Sequence, residues 1–323
     1  MAAPASLANE FQFNEAARKE LALKIIVEGP PGAGKTISAL MLAAGLAGIG
    51  TTPTSKWSDI AFADTENDSA LYYVDTSHDT AAGLFEVGKF THIPFAPPYR
   101  PDRWVRLIQR MVKEAKVGIL DCASQEWSGV GGTLDYHRQL GGQVQHWKEA
   151  SPMHQSFVDA IRYAPIPLIV CLRSNMEHVI EKVSDGRGGE KTQVRKVGMK
   201  PQQREGFEYE VDIQLSLDQI SHAATAAKDR TGLFQPMPPA PITVETGRIL
   251  ANWARSGTDP VGSRGWVAKR CDELRKAGSI DQLRDMFTLI NKQIAGLLTQ
   301  EYRDMLSAAK DVAKARLDKE VTK

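Results

Sequence analysis

The ten residues VEGPPGAGKT at positions 27–36 restrict the fold of this chain more than any other stretch. Ahead of the glycines, LALKIIVEG is aliphatic and β-branched, as a buried strand requires. Behind them, ISALMLAAGLAG is rich in the helix formers Ala and Leu. Gly29, Pro30, Pro31, Gly32, Ala33, Gly34, Lys35 and Thr36 match G-x-x-x-x-G-K-[ST] at every fixed position, between the strand and the helix that the motif needs. Glycines let backbone N–H groups converge on phosphate oxygens, and the helix N-terminus adds a favourable dipole. Lys35 is expected to neutralise β- and γ-oxygens and Thr36 to ligate Mg²⁺, so the loop reads as a nucleoside triphosphate site with ATP and Mg²⁺ as cofactors.

A strand ending in an acidic residue should hold that metal from the far side. In KVGILDCAS at 116–124, Val117, Ile119 and Leu120 lead to Asp121, which is the expected partner of Mg²⁺. Cys122 follows it directly, so a carboxylate that activates water has to come from another strand end. SDIAFADTENDSALYY at 58–73 offers Glu66, with Asp64 and Asp68 as competitors. IPLIVCLRSN reads as a further buried strand that brings Arg173, Ser174 and Asn175 toward the phosphates, after a helix expected to open at Ser151-Pro152.

From Lys182 to Arg204 the chain carries seven basic residues (Lys182, Arg187, Lys191, Arg195, Lys196, Lys200, Arg204) against Asp185 and Glu190, with SDGRGGEK as a turn between two β-prone arms. A solvated hairpin and a nucleic-acid contact both fit such a run. EYEVDIQLSLD and SHAATAAKDRTG follow as two more strands, the second ending at Lys228, Asp229 and Arg230.

Together, GPPGAGKT, DCASQEWSGVGG, CLRSN, FEYEVD and AKDRTG resemble the phage-encoded RecA-like AAA-family ATPases of recombination modules, the Sak-four-type annealing-associated ATPases, over about residues 22–250. The resemblance implies a RecA-like P-loop core with a mainly parallel sheet flanked by helices. It implies ATP hydrolysis with Glu66 polarising the attacking water, as in the F-x-D-x-E pattern of that family. Arg173 or Asn175 would sense the γ-phosphate. Lys228 and Arg230 would reach a neighbouring subunit's nucleotide. Arg187, Lys191, Arg195, Lys196 and Lys200 would contact single-stranded DNA, in a ring or filament working beside a single-strand-binding or annealing protein. Pro101, Asp102 and Arg103 fall where the family contacts adenine. Ser124, Glu126 and Trp127 would couple nucleotide state to the Gly-rich loop 128–132, with Trp127 either packing inside or stacking on a base.

The remaining composition sets limits. Lys+Arg 40 against Asp+Glu 39 leaves a formal charge of +1, so any DNA contact must be local. Cys122, Cys171 and Cys271 lack the spacing of a disulfide framework or a zinc site, which fits a reducing cytoplasm, that of a host cell if the chain is phage-encoded. The N-terminus lacks a secretory pattern, and the apolar run at 37–50 contains three glycines and falls short of the roughly 20 residues of a membrane span. The expected organisation is an N-terminal extension over 1–21, the ATPase core over 22–256 and a helical C-terminal region over 257–323, with Ser279 capping one helix. A small-molecule or nucleotide kinase is a weaker alternative because the sequence has no evident lid, and an ATP-gated scaffold acting through the helical tail is another.

Overall fold

The computed structural model describes residues 20–52, 54–184, 190–234, 237–255, 264–293 and 300–321. From the N-terminal side the elements are β1 (Lys24–Gly29), α1 (Lys35–Ala47), β2 (Ile60–Asp64), β3 (Thr76–Thr80), β4 (Gly83–Val87), β5 (Thr91–Pro94), α2 (Pro101–Glu114) and β6 (Val117–Asp121). Next come α3 (Ser124–Ser128), α4 (Thr133–Gln139), α5 (Trp147–Arg162), β7 (Leu168–Ser184), β8 (Glu190–Pro201), β9 (Ile213–Leu217), β10 (Ala223–Asp229) and β11 (Ala240–Pro241). Four helices follow: α6 (Val244–Arg255), α7 (Arg264–Arg275), α8 (Ile280–Gln293) and α9 (Gln300–Val321).

The main sheet runs β11-β10-β9-β1-β7-β6-β2-β5, with β8 paired to the extension of β7. The six strands from β9 to β5 in that order are parallel, whereas β10 and β11 are antiparallel. Strands buried on both faces need continuous apolar runs, and KIIVEG, IAFAD and VGILD supply them with every residue buried. Side chains alternate across each strand. Ile26, Ala61, Ala63, Leu120, Leu168, Val170 and Leu172 therefore share one face, where they pack with Trp104, Ile108 and Met111 of α2 and Phe157 and Ile161 of α5. The alternate residues Phe62, Ile119 and Cys171 take the other face, and so do Asp121 and Arg173 at the strand ends.

On that second face α1 approaches α6 backbone to backbone. A Cβ on Gly45 would lie 2.2 Å from the Val244 carbonyl oxygen, and one on Gly247 would lie 2.3 Å from the Leu42 carbonyl oxygen. Alanine at either position would force the helices apart.

One helix starts earlier than expected, and one hairpin has no counterpart in the sequence expectations. The helix before β7 begins at Trp147, ahead of Ser151-Pro152, so Pro152 lies inside it. The missing Pro152 N–H orphans only the Lys148 carbonyl, on an exposed residue of the first turn. The β3–β4 hairpin, paired from Thr76↔Val87 to Thr80↔Gly83, has mostly polar and exposed positions and no apolar run to announce it.

The chain divides into a unit over Leu21–Ala251 and a second unit containing Asn252–Lys323. In the second unit α7, α8 and α9 enclose a core of their own built from Trp266, Val267, Leu274, Leu283, Ile290, Leu306 and Leu317. Ser279 caps α8 there by accepting the Gln282 N–H at 3.1 Å. Among the described residues no helix is long and apolar enough to cross a membrane. All three cysteines are free and buried.

Candidate nucleotide and metal site

In parallel sheets flanked by helices, ligands gather at the carboxyl ends of the strands. Here the register puts Gly29 opposite Arg173, Leu120 opposite Val170 and Asp64 opposite Asp121, so β1, β6 and β2 end within about two residues of one another beside the Cys171–Arg173 part of β7. Residues 30–34 then turn sharply into α1, with Gly32 at φ 77° and Gly34 at φ 84°, a left-handed conformation that only glycine adopts without strain. No side chain caps the start of α1, which leaves its first N–H groups for an anion. Pro30, Pro31 and Ala33 add no polar side chain of their own.

Lys35 Nζ donates to the carbonyls of Gly29 at 3.1 Å and Pro30 at 3.0 Å, which keeps the ammonium over the loop. Thr36 Oγ1 donates to Asp121 Oδ2 at 2.7 Å. Asp121 is 2 % exposed. Burial pushes its carboxyl up to about 6, with the Thr36 hydrogen bond opposing and the charge of Glu66 adding to the rise. A hydroxyl and a buried carboxylate form the hard-oxygen donor set that Mg²⁺ takes alongside phosphate oxygens, so these residues fit the ion.

Glu66 lies just past β2, and its loop is fixed by Asp64. The Asp64 carboxylate accepts the N–H of Glu66 at 2.7 Å and that of Ala70 at 2.9 Å, which commits Asp64 to the turn. Thr65 ties the same loop to β6, donating its N–H to the Asp121 carbonyl and accepting the Cys122 N–H on its hydroxyl. The Glu66 carboxylate receives Arg173 Nη2 at 2.7 Å, and this bond raises the already high Arg173 pKa further. Lys35, Thr36, Asp121, Glu66 and Arg173 therefore meet at one end of the sheet.

The other predicted residues lie elsewhere. Asp102 stands in the first turn of α2, paired with Arg100 at 3.0 Å and Arg106 at 2.8 Å. That helix packs on the face of the sheet opposite α1, so Asp102 does not join the loop. Lys228 donates to the carbonyls of Glu208 and Tyr209, and Arg230 to that of Tyr209. Asp229 pairs with Ile213, which itself pairs with Ile25, so both cations sit near the amino end of β1, roughly 15 Å of strand from their own phosphate loop.

The basic run forms the β7–β8 hairpin, which continues β7 beyond Arg173, with the Gln202 N–H closing on the Arg173 carbonyl. Lys191, Arg195, Lys196 and Lys200 stand opposite Val183, Val179, His178 and Asn175. Arg187 lies outside the described residues, as do the side chains of Lys191, Arg195, Lys196 and Asn175. Glu126 is fully buried and holds Thr133 at 2.6 Å, His154 at 3.1 Å and Gln203 at 3.4 Å. Trp127 is half-buried and stacks on Trp147.

Several neighbours of the site had no sequence signal. A cavity of about 270 Å³ opens beside α1, lined by Gly34, Ile37 and Met41 on one side, by Tyr73 and the 78–82 tip of the β3–β4 hairpin on another, and by His222 and Ile242. Tyr73 is near enough to Asp121 for that carboxylate to add to the rise in its phenol pKa, which burial dominates. Buried Glu28, on the opposite face of β1, accepts from Ser174, Gln214 and Ser216 and so joins β7 to β1 and β9 near the carboxyl ends of the latter two.

This architecture is a P-loop α/β fold, the layout expected of a RecA-like core: a mainly parallel sheet flanked by helices, with the phosphate loop between β1 and α1 and acidic residues at the ends of β2 and β6. No family model matches the sequence. No curated protein matches it either. Solved structures similar to it include the RadB recombinase, at 17 % identity over 71 % of this chain and 90 % of that one with a TM-score of 0.37. Another is a KaiC-like protein from the hyperthermophilic archaeon Pyrococcus horikoshii OT3, at 14 % identity over 67 % and 83 % with a TM-score of 0.34.

Proposed function

We propose that the chain is an ATP-dependent, single-stranded-DNA-binding RecA-like ATPase acting in phage DNA recombination or annealing. The observation that carries this reading is the convergence of Thr36, Asp121 and Glu66 at one end of the sheet, with Thr36 and Asp121 2.7 Å apart. The loop amides and the N-terminus of α1 bind the triphosphate, and Lys35 exchanges two carbonyl partners for phosphate oxygens. Bound Mg²⁺ supplies charge neutralisation at the β- and γ-oxygens. Thr36 and Asp121 hold that ion, and Glu66 orients the attacking water and takes its proton as the γ-phosphorus–oxygen bond to ADP breaks. Arg173, bound to Glu66, meets the γ-phosphate from β7 and is continuous with the basic hairpin, which supports a DNA role for Arg187, Lys191, Arg195, Lys196 and Lys200. Lys228 and Arg230, distant from their own loop, suit contact with a neighbour in a homo-oligomer.

The deciding experiment is ATP turnover at low salt with and without single-stranded DNA, beside Lys35→Ala. Stimulation by DNA in the wild type and loss of turnover in the variant are expected. Turnover indifferent to DNA removes the recombination reading, and absence of ATP binding removes the enzyme reading as well.

A further inference from the structure

Four carbonyls of the phosphate loop accept hydrogen bonds from side chains. Those of Gly29 and Pro30 belong to Lys35. The other two are held from 188 and 189 residues away, where Gln219 Nε2 donates to the Pro31 carbonyl at 3.0 Å and His222 Nδ1 meets the Ala33 carbonyl at 3.2 Å. A carbonyl oxygen only accepts, so the proton is on Nδ1 of His222.

Both side chains stand on the turn between β9 and β10, which is rigid in its own right. Asp218 accepts the N–H groups of Ile220 at 3.0 Å and Ser221 at 2.8 Å and the Ser221 hydroxyl at 2.8 Å. The His222 N–H closes on the Asp218 carbonyl, and His222 holds φ 55°, a left-handed conformation uncommon for a residue other than glycine.

We propose that Gln219 and His222 are positioning residues for the triphosphate: the β9–β10 turn clamps the outer side of the phosphate loop so that its amides stay aimed inward. This rests on the reading of the loop as a nucleotide site. The two pairs of anchors differ in what ligand binding does to them. Lys35 leaves its carbonyls when it goes to phosphate, whereas the Pro31 and Ala33 anchors do not compete with the ligand and persist. The clamp therefore acts on affinity for the triphosphate, and the groups that meet the attacking water are untouched by it.

The test compares ATP affinity, by competition against a fluorescent nucleotide, and kcat at saturating ATP in the full chain. The variants are Gln219→Ala, Gln219→Glu, which keeps the shape and removes the donor, His222→Ala and His222→Asn. The Asn variant retains an amide donor and tolerates the left-handed backbone. The alanine and glutamate variants should each weaken ATP binding about two- to tenfold, the ordinary worth of one hydrogen bond, with kcat within about twofold of wild type. His222→Asn should recover most of the loss that His222→Ala causes. Unchanged affinity in all variants, or kcat falling while affinity holds, overturns the clamp and leaves the nucleotide reading standing. A wild-type chain that binds no ATP overturns both. Because the turn is exposed, thermal unfolding of each variant should coincide with wild type; an affinity loss that tracks unfolding also counts against the clamp.

Discussion

Thr36 Oγ1 donates to Asp121 Oδ2 at 2.7 Å although the residues are 85 positions apart and β7 lies between the strands that precede them. The contact exists because β6 ends within two residues of the level of β1 and Asp121 lies on the sheet face covered by α1, whose first turn carries Thr36. It joins the two oxygen donors that a divalent ion would share.

Replacing Thr36 by Ala or Asp121 by Asn removes one oxygen donor or one charge from this pair. The Mg²⁺ concentration for half-maximal ATP turnover should rise about 10- to 100-fold, as for the loss of a supporting ligand at a metal site. A Mg²⁺ titration of turnover checks this, and Thr36→Ser should stay close to wild type.

Glu66→Gln keeps the shape of the side chain but cannot take a proton. Turnover should fall about 10²- to 10⁴-fold, the usual contribution of a positioned base, while ATP affinity changes little. Single-turnover measurements separate the two quantities. An ATP-gated scaffold would keep its partner binding in this variant.

The β7–β8 hairpin should set the salt dependence of DNA binding. Each phosphate neutralised on single-stranded DNA contributes roughly 0.7 to the slope of log K against log salt, so Lys191, Arg195 and Lys196 together replaced by Ala should lower the slope by about 2. Binding isotherms at several salt concentrations measure it.

Lys24 makes stability depend on alkaline pH. Its Nζ is buried among the carbonyls of Ala22, Ala164 and Ile166, and its pKa is lowered to about 8, mainly by loss of water and against the pull of Asp212. The unfolded chain, with Lys24 near its ordinary value of 10.5, then holds more protons between pH 8 and 10.5 than the folded one. Stability from this group is accordingly flat below pH 8 and rises across that window. Lys24→Met removes the slope and orphans the carbonyls, costing about 1–3 kcal/mol at pH 7. Chemical unfolding of both proteins at pH 7, 8.5 and 10 gives the comparison.

Some of this was legible in the residues alone. The phosphate loop could be read because its constraints are local: glycine where φ is positive, Lys and Thr at the helix start, an apolar strand before. The strand ends at Asp121 and Asp64 were legible for a related reason, since an apolar run of strand length that stops at an acid marks a strand end; Glu66, two residues past Asp64, was singled out by the family resemblance. Where Asp102 lies relative to the loop was not legible, because nothing within α2 states on which side of the sheet it packs. Tyr73, Gln219 and His222 carried no signal, since the first ends a short 3-10 helix and the other two stand on a turn, with neither period nor motif.

The sequence by itself determined the local conformations, meaning the loop, the buried strands and the basic run, because these depend on neighbours a few residues away. Only the tertiary structure decided which strand ends lie level, that Arg173 meets Glu66, and that a turn near residue 220 grips the loop near residue 30. Those relationships follow from strand order and register, which are set by packing the whole sheet between its helices and not by any one segment.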